Sequence, residues 1–452
     1  MQKEPTSPPL HRIPIKTAHR RIVTPIPAPQ SQPVLEKLRR YEPRALDVLP
    51  PVLWDRAQGH QIYDAFGNCW IDFTSGIYVA NVGHAHPDVC AALHQQIGQP
   101  LLHAYLYATE IRARLVEKLV QISAPNLTKT FLASTGSETI EVAIKLARLH
   151  GLAIDAKKTV IVSHAGAYHG RTMGAQQLAS APDQQKWIVH PDPDLVQIPF
   201  PAGEDGPQAL AGALDHLQAN GIQPERIAAF IVEGYQGIGG PLFFPSDYIQ
   251  AMANWAHGHQ ALVVFDEIQS GFGRTGKLFA YEHYGIDADL VCCGKGISSS
   301  LPLSAVLGRG PLMDLAAPGH LSSTHTANPM SCAAALATLE VIQREGLVAA
   351  AADKGKIVQY RLQKIQQRYP DQIGHVLGRG MVHAIIFIHP DSGEPNTELA
   401  QRVTDCAIEN GLMLFYAHGS GSVKIGPPLT IPKDALEEGL TVLTDSVSAC
   451  VG

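Results

Sequence analysis

The chain has 452 residues, 45% of them hydrophobic and 17% charged, with 35 lysines and arginines against 41 acids and a formal net charge of −6. That length exceeds what one simple core serves, so two lobes are expected, and the composition is that of a well-packed globule. The acidic balance offers no general attraction to nucleic acid or an anionic membrane, and no apolar run reaches bilayer-spanning length.

Seven scattered cysteines without a C-x-x-C pair suggest reduced thiols and a cytoplasmic protein. Residues 1–45 are proline-rich and basic ("PIKTAHRRIVTPIPAPQSQP"), which predicts an extended arm. The same prolines spoil the apolar core of a secretory signal and the amphipathic helix of a transit peptide. "GHQIYDAFGNCWIDFTSG" predicts a hairpin turning at Gly67-Asn68. His84 and His86 in "GHAHP" have no third ligand at metal spacing. That loop is expected to shape a pocket mouth, with Ile77 and Tyr78 facing substrate.

From about residue 125 to 310, short β-branched runs alternate with helical patterns, the mark of a mostly parallel α/β sheet. "KTFLAS", "TVIVSH", "IAAFIVEG", "ALVVFDE" and "ADLVCCG" are apolar throughout, as strands covered on both faces should be. Ligands collect at the carboxyl ends of such strands. Ser134, His164, Glu233, Asp266 and Lys295 fall there, as an expected polar ring around one crevice. Beyond Pro329 a long helical spacing runs to Pro370. "HAIIFIHP" and "SVKIGPPLTI" then predict strands of a smaller lobe, followed by a last helix from about Lys433. The expected layout is an arm over 1–45, a large domain over 80–335, and a small domain made of 46–79 with 336–452.

"LVVFDEIQSGFGRTG" runs from a strand into a loop that spells G-x-G-x-x-G at Gly271, Gly273 and Gly276. A dinucleotide fingerprint needs its glycines directly after the strand and a helix opening on the third. Here Asp266 to Ser270 intervene, and "KLFAYEHYG" is too short and aromatic for a crossover helix. The acids matter more. A carboxylate ending a buried strand needs a cation to meet it, and a protonated pyridine nitrogen is such a cation, held protonated by the carboxylate. Lys295 ends the next apolar run, and neighbouring parallel strands would set both residues at one edge of the sheet. A ring-nitrogen acid and a Schiff-base lysine are the two groups that pyridoxal phosphate (PLP) demands of a protein. A plain Asp266–Lys295 salt bridge is the other reading.

"FLASTGSETIEVAIKLARLHG" supplies a candidate phosphate cradle: a capping box at Thr135 and Glu138, and Gly136 for close backbone approach at a helix start. An ordinary capped helix would look the same. In "HAGAYHGRT", Tyr168 is placed to stack on one face of a cofactor ring and Ile268 on the other. Gln269 is placed to meet the ring hydroxyl. Arg171 is either the receiver of a substrate carboxylate or a solvated surface group.

"STGSE", "YHGRT", "DEIQSGFGRTG", "GKGIS" and "THTANPMSCAAALATLE", in this order, resemble the class III PLP-dependent aminotransferases of fold type I, the group of 4-aminobutyrate, ornithine and acetylornithine aminotransferases. The similarity runs from "YDAFGNCWIDFTSGI" to "KIGPPLTI". It implies an α/β fold with a large domain, its mostly parallel sheet flanked by helices, and a smaller α+β domain. It implies PLP as cofactor, with Lys295 as Schiff-base lysine and Asp266 on the ring nitrogen. Further cofactor contacts would come from Gly136, Ser137, Tyr168, His169, Ile268 and Gln269. A homodimer is implied, with Thr324 reaching the neighbouring subunit's phosphate, and Arg171 matches the arginine that takes a distal carboxylate. With Ile77, Tyr78 and Lys424 it completes the expected substrate contacts.

Two departures bear on substrate. The 4-aminobutyrate and ornithine members carry a glutamate two residues after the Gln of their "QG" motif, paired with a C-terminal arginine. Here the positions read Ile238 and Lys424. A lysine lacks the rigid fork of an arginine, so α-carboxylate binding should be weaker or come from elsewhere. Ser298, Ser299 and Ser300 also replace glycines, and His325 replaces an aromatic. The implied reaction is a ping-pong transfer from an amino acid, such as the ω-amino acid 4-aminobutyrate, to a 2-oxo acid, with no nucleic-acid or membrane partner. A racemase, aminomutase, decarboxylase or lyase on the same scaffold stays open.

Overall fold

The computed structural model describes residues 14–46, 50–179, 182–201, 203, 205–417 and 419–451. They divide into two compact units: one holds the chain through His86, Gly239–Pro241 and the chain from Gly346 onward; the other holds Pro87–Ile238 and Leu242–Glu345. Among the described residues, no helix is long and apolar enough to cross a membrane.

The second unit is built on seven strands: β1 (Lys129–Ala133), β2 (Val160–His164), β3 (Leu195–Ile198), β4 (Ile227–Glu233), β5 (Leu262–Asp266), β6 (Leu290–Cys293) and β7 (Ser304–Gly308). Their order across the sheet is β1-β7-β6-β5-β4-β2-β3. All pair in parallel except β7, which is antiparallel to both of its neighbours. Strands β4 to β7 are buried at every position, which accounts for their unbroken apolar runs. On one face, Ile140, Ala143, Ile144 and Ala147 of helix α1 (Gly136–Ile154) pack with Ile161, Ala229, Ile231, Val264, Leu290 and Val306. Phe230, one residue out of phase with Ala229 and Ile231, points to the other face. It meets Trp255 of the helix Ser246–Gly258 there, ring centroids 5.8 Å apart.

Register brings the chemistry level. Asp266 stands opposite Glu233 on β4 and Cys292 on β6. Lys295 follows β6 and opens the short turn Lys295–Ile297.

The first unit carries a six-stranded sheet and a three-stranded antiparallel one, Ile373–Arg379, Val382–Phe387 and Ser422–Ile425, with the helices Leu347–Arg368, Thr397–Glu409 and Lys433–Val451. The expected hairpin is present: Gln61–Tyr63 pairs antiparallel with Cys69–Asp72, and Asp64 Oδ1 accepts the Phe66 and Asn68 N–H groups inside the turn.

Two expectations are corrected. The proline-rich segment is not an extended arm throughout. Ile15–Lys16 pairs with Arg21–Ile22, Arg21 pairs with Cys69, and a helix covers Gln32–Tyr41. Ile15 and Ile22 anchor it by burial with Ile62 and Trp70, a signal of two single residues that proline content masks. Residues 1–13 lie outside the described residues. The single helical run after Pro329 is two helices, Pro329–Arg344 and Leu347–Arg368, because Gly346 takes φ 59° between them.

Candidate active site

The site is assembled at the carboxyl ends of β4, β5 and β6. Asp266 is 5% exposed. Its Oδ1 accepts the Ile268 N–H at 3.0 Å, and its Oδ2 accepts from His169 Nδ1 at 2.8 Å. Burial opposes a charge on His169, but the hydrogen bond and the fields of Asp266 and Glu233 outweigh it and raise the imidazole pKa above its ordinary value. His169 Nε2 is buried without a hydrogen-bond partner among the described residues. Glu233 Oε1 accepts the Tyr168 N–H at 3.0 Å and Oε2 the Gly237 N–H at 3.2 Å. Burial pushes this carboxyl up to about 8, aided by the charge of Asp266 and opposed by His169. Lys295 is partly buried, with φ 41° in the left-handed region. Burial pulls its ammonium pKa below the usual lysine value, against the attraction of Asp266 and Glu233. A lysine so placed holds its neutral, nucleophilic form more readily than a surface lysine.

A second cluster lies at the start of α1. Thr135 Oγ1 accepts the Glu138 N–H at 3.3 Å, while Glu138 Oε2 accepts the N–H groups of Ser134 and Thr135, each at 2.8 Å. This reciprocal cap leaves the Gly136 and Ser137 N–H groups without intrahelical acceptors at the positive end of a 19-residue helix. Ile268 packs against the same point. A Cβ on Gly136 would lie 2.9 Å from Ile268 Cδ1, and one on Gly294 would lie 3.0 Å from Ile268 Cγ2. One apolar side chain therefore touches both the helix start and the approach to Lys295. Gln269 packs on the neighbouring turn, its Oε1 2.5 Å from where a Cβ on Gly237 would stand.

The structure leaves His164 out of the expected ring. Ile161 faces α1, so His164, an odd number of residues further along a pleated strand, faces the opposite helix. Its Nε2 lies 2.8 Å from the Tyr248 hydroxyl, Phe244 meets it edge-on, and burial drives its pKa down to about 3. Asp266 and Glu233 have the parity of Val264 and Ile231, and therefore the α1 face.

Other expected residues fall as follows. Tyr168 is partly buried and Arg171 exposed, its guanidinium carbon 5.3 Å from the Tyr168 ring centroid and its Nη1 on Gln184 Oε1. Thr324 is exposed, beside Ser323, whose hydroxyl donates to Glu138 Oε1 at 3.0 Å. Ile77, Tyr78 and Lys424 belong to the other unit. Ile77 is 53% exposed, whereas Tyr78 is 3% exposed, its ring stacked on Phe415 at 4.8 Å. Lys424 sits opposite Ala384 in the strand Ser422–Ile425. In the same unit His84 Nε2 donates to Asp72 Oδ2 at 2.7 Å.

Sequence reasoning missed the task of Glu267. It is fully buried and accepts from the Ser270 hydroxyl at 2.6 Å and from the Ala280 and Tyr281 N–H groups at 2.9 and 2.7 Å. Burial pushes its pKa up to about 7. It pins the glycine loop that follows Asp266. Its adjacency to Asp266 was the only signal, and adjacent strand residues point to opposite faces.

These residues fit PLP on their own chemistry. A strand-end carboxylate awaits a cationic ring nitrogen, a lysine with lowered pKa awaits an aldehyde, and two helix-start N–H groups await a phosphate.

The family described as Aminotransferase class-III matches residues 42–447. A 4-aminobutyrate aminotransferase of Mycobacterium leprae is 33% identical over 94% of this chain and 97% of its own length. An alanine/serine racemase of Pyrococcus horikoshii is 31% identical, covering 94% of this chain and 92% of its own. The omega transaminase of Pseudomonas jessenii, solved in complex with PMP, superposes with a TM-score of 0.84 at 27% identity, over 92% of this chain and 98% of that one. With its motifs, its sheet and nearly its whole length matched, the chain belongs to the class III aminotransferases and is a PLP-dependent aminotransferase of fold type I.

Proposed function

We propose that this aminotransferase moves the amino group of an ω-amino acid, of which 4-aminobutyrate is the type, to a 2-oxo acid. The observation that supports it is Asp266 opposite Cys292, three residues before Lys295, a lysine whose pKa burial lowers against the charges of Asp266 and Glu233. When bound, PLP supplies the electron sink and the carbonyl that carries the amino group between substrates. Asp266 would keep the ring nitrogen protonated, with His169 orienting Asp266. The Gly136 and Ser137 N–H groups would hold the phosphate, and Tyr168, Ile268 and Gln269 would hold the ring. Lys295 Nζ would take the proton from the substrate carbon as general base and, as general acid, would deliver it on the cofactor side rather than back to that carbon.

The substrate class rests on Arg171, exposed beside Tyr168, and on relatives named as 4-aminobutyrate and 5-aminovalerate aminotransferases. Ile77, Tyr78 and Lys424 are further proposed substrate contacts. The working assembly is a cytoplasmic homodimer in which exposed Thr324 serves the neighbouring subunit's phosphate. The 31% identical racemase and the Ile238 and Lys424 departures favour one second reading, racemisation of a small amino acid. A screen of amino donors against 2-oxo acids with purified protein decides. Transamination consumes the oxo acid in step with the donor, and racemisation consumes none. Full turnover by a Lys295→Ala protein would sink both.

A further inference from the structure

We infer that Glu141 is the positioning residue for the substrate-carboxylate end of the site: it docks the loop carrying Tyr168 and Arg171 onto the helix whose start cradles the phosphate. The inference rests on the proposed role of Arg171.

Glu141 is partly buried in the second turn of α1. One of its oxygens, Oε1, takes three donors from the loop beyond Arg171: the Thr172 hydroxyl at 2.5 Å, the Gly174 N–H at 3.0 Å and the Ala175 N–H at 3.1 Å. The last two open the short helix Met173–Gln177, whose own N-cap, Thr172, makes no side-chain cap. Glu141 therefore caps it from a different element. One turn earlier, Ser137 Oγ accepts the Arg171 N–H at 3.3 Å. Residues four apart share a helix face, so Ser137 and Glu141 grip the loop side by side. Arg171 lies between the two grips.

The fit leaves no slack. A Cβ on Gly170 would stand 2.2 Å from Ser137 Oγ, and one on Gly174 2.5 Å from Glu141 Oε2. Arg171 has no such enclosure of its own, since its side chain is exposed and bonded to the exposed Gln184. Its backbone is thus fixed through Glu141 and Ser137, and its guanidinium reaches out from that fixed root. Glu141 touches neither substrate nor cofactor. It acts through Arg171.

The test compares two donors, 4-aminobutyrate and butylamine, which differ only in the carboxylate. Each is run with wild type, Glu141→Ala, Glu141→Gln, Thr172→Val and Arg171→Ala. Glu141→Ala should raise KM for 4-aminobutyrate about tenfold, equivalent to 1.4 kcal/mol. Its kcat should stay within about threefold, and KM for butylamine and PLP content should match wild type. Glu141→Gln keeps an acceptor at Oε1 and should restore most of the loss, while Thr172→Val should show a smaller rise for the same donor only. A rise in KM with Arg171→Ala but none with Glu141→Ala overturns the inference. So does equal loss for both donors, which would mark general loosening. An unchanged KM with Arg171→Ala removes the carboxylate reading of Arg171, and the inference with it. Should Glu141→Ala fail to fold, Thr172→Val, which removes one of the three donors to Glu141 Oε1, carries the comparison with Arg171→Ala, and a wild-type KM ratio for it overturns the inference.

Discussion

Asp266→Asn is the perturbation with the most consequences that can be worked through. Asparagine keeps the volume and an oxygen for the Ile268 N–H, but removes the negative charge where β5 ends. His169, 2.8 Å away, loses the hydrogen bond and charge of that carboxylate, which raise its pKa, and is left with burial against it and Glu233 in its favour. Glu233 loses one of the forces holding its carboxyl up to about 8. What remains unmet is the ring nitrogen. An opposite charge at contact range is worth roughly 1–3 pKa units. At about 1.36 kcal/mol per unit, and with the charge needed throughout the proton transfer, the amine half-reaction should slow roughly 10- to 1,000-fold. The assay is single-turnover spectrophotometry at saturating donor, with cofactor content and thermal stability measured alongside. A half-reaction rate within about threefold of wild type at equal cofactor content would refute the reasoning.

Gly136→Val should cost cofactor affinity about ten- to a hundredfold, since its Cβ already meets Ile268 at 2.9 Å and overpacking costs about 1–3 kcal/mol; titration of apo-protein with PLP checks it, and Gly136→Ala should fall between. Glu267→Ala strands three buried donors and should destabilise the chain by about 3 kcal/mol or more, read from urea unfolding. The buried His164 and His383 both have pKa values lowered by burial to about 3 from 6.5. The unfolded chain takes these protons near pH 6.5 and the folded chain does not. Their contribution is therefore fully present above pH 6.5 and is lost as pH falls towards 3, by up to about 1.4 kcal/mol per pH unit for each histidine. His164→Phe should flatten the stability slope between pH 6 and pH 4 by about one proton; an unchanged slope counts against it.

Much of the sheet could be read directly, because strands covered on both faces must be apolar without alternation, and β4, β5 and β6 are. Their carboxyl-end residues could be read as well, since Asp266 and the Lys295 turn follow consecutive apolar runs. What those runs conceal is parity. His164 and Glu233 both end strands, yet only a residue in phase with the α1 face joins Asp266. A run without polar alternation carries no mark of phase. Glu141 escaped notice for a related reason: a carboxylate whose partners are a hydroxyl and two backbone N–H groups leaves no charged counterpart in the sequence. The hairpin of Ile15–Lys16 and Arg21–Ile22 was hidden because strands of two residues have no period to detect.

The first unit is stitched from chain pieces remote in sequence. Trp70 Nε1 donates to the Ile408 carbonyl at 2.8 Å across 338 residues, and Leu412–Met413 adds in parallel to Cys69–Asp72. The second unit is interrupted only at Gly239–Pro241. A ribosome releases the chain from its amino end, so the stretch up to His86 emerges long before the residues that complete its sheet. Ile15, Ile22 and Ile62 are then already available to Trp70, but Ile408 and Met413, the rest of that cluster, arrive only after the parallel sheet has been made. Truncation near residue 400 should accordingly yield a nascent product captured by holding chaperones rather than a stable half-enzyme, and late codons, more than early ones, should govern soluble yield.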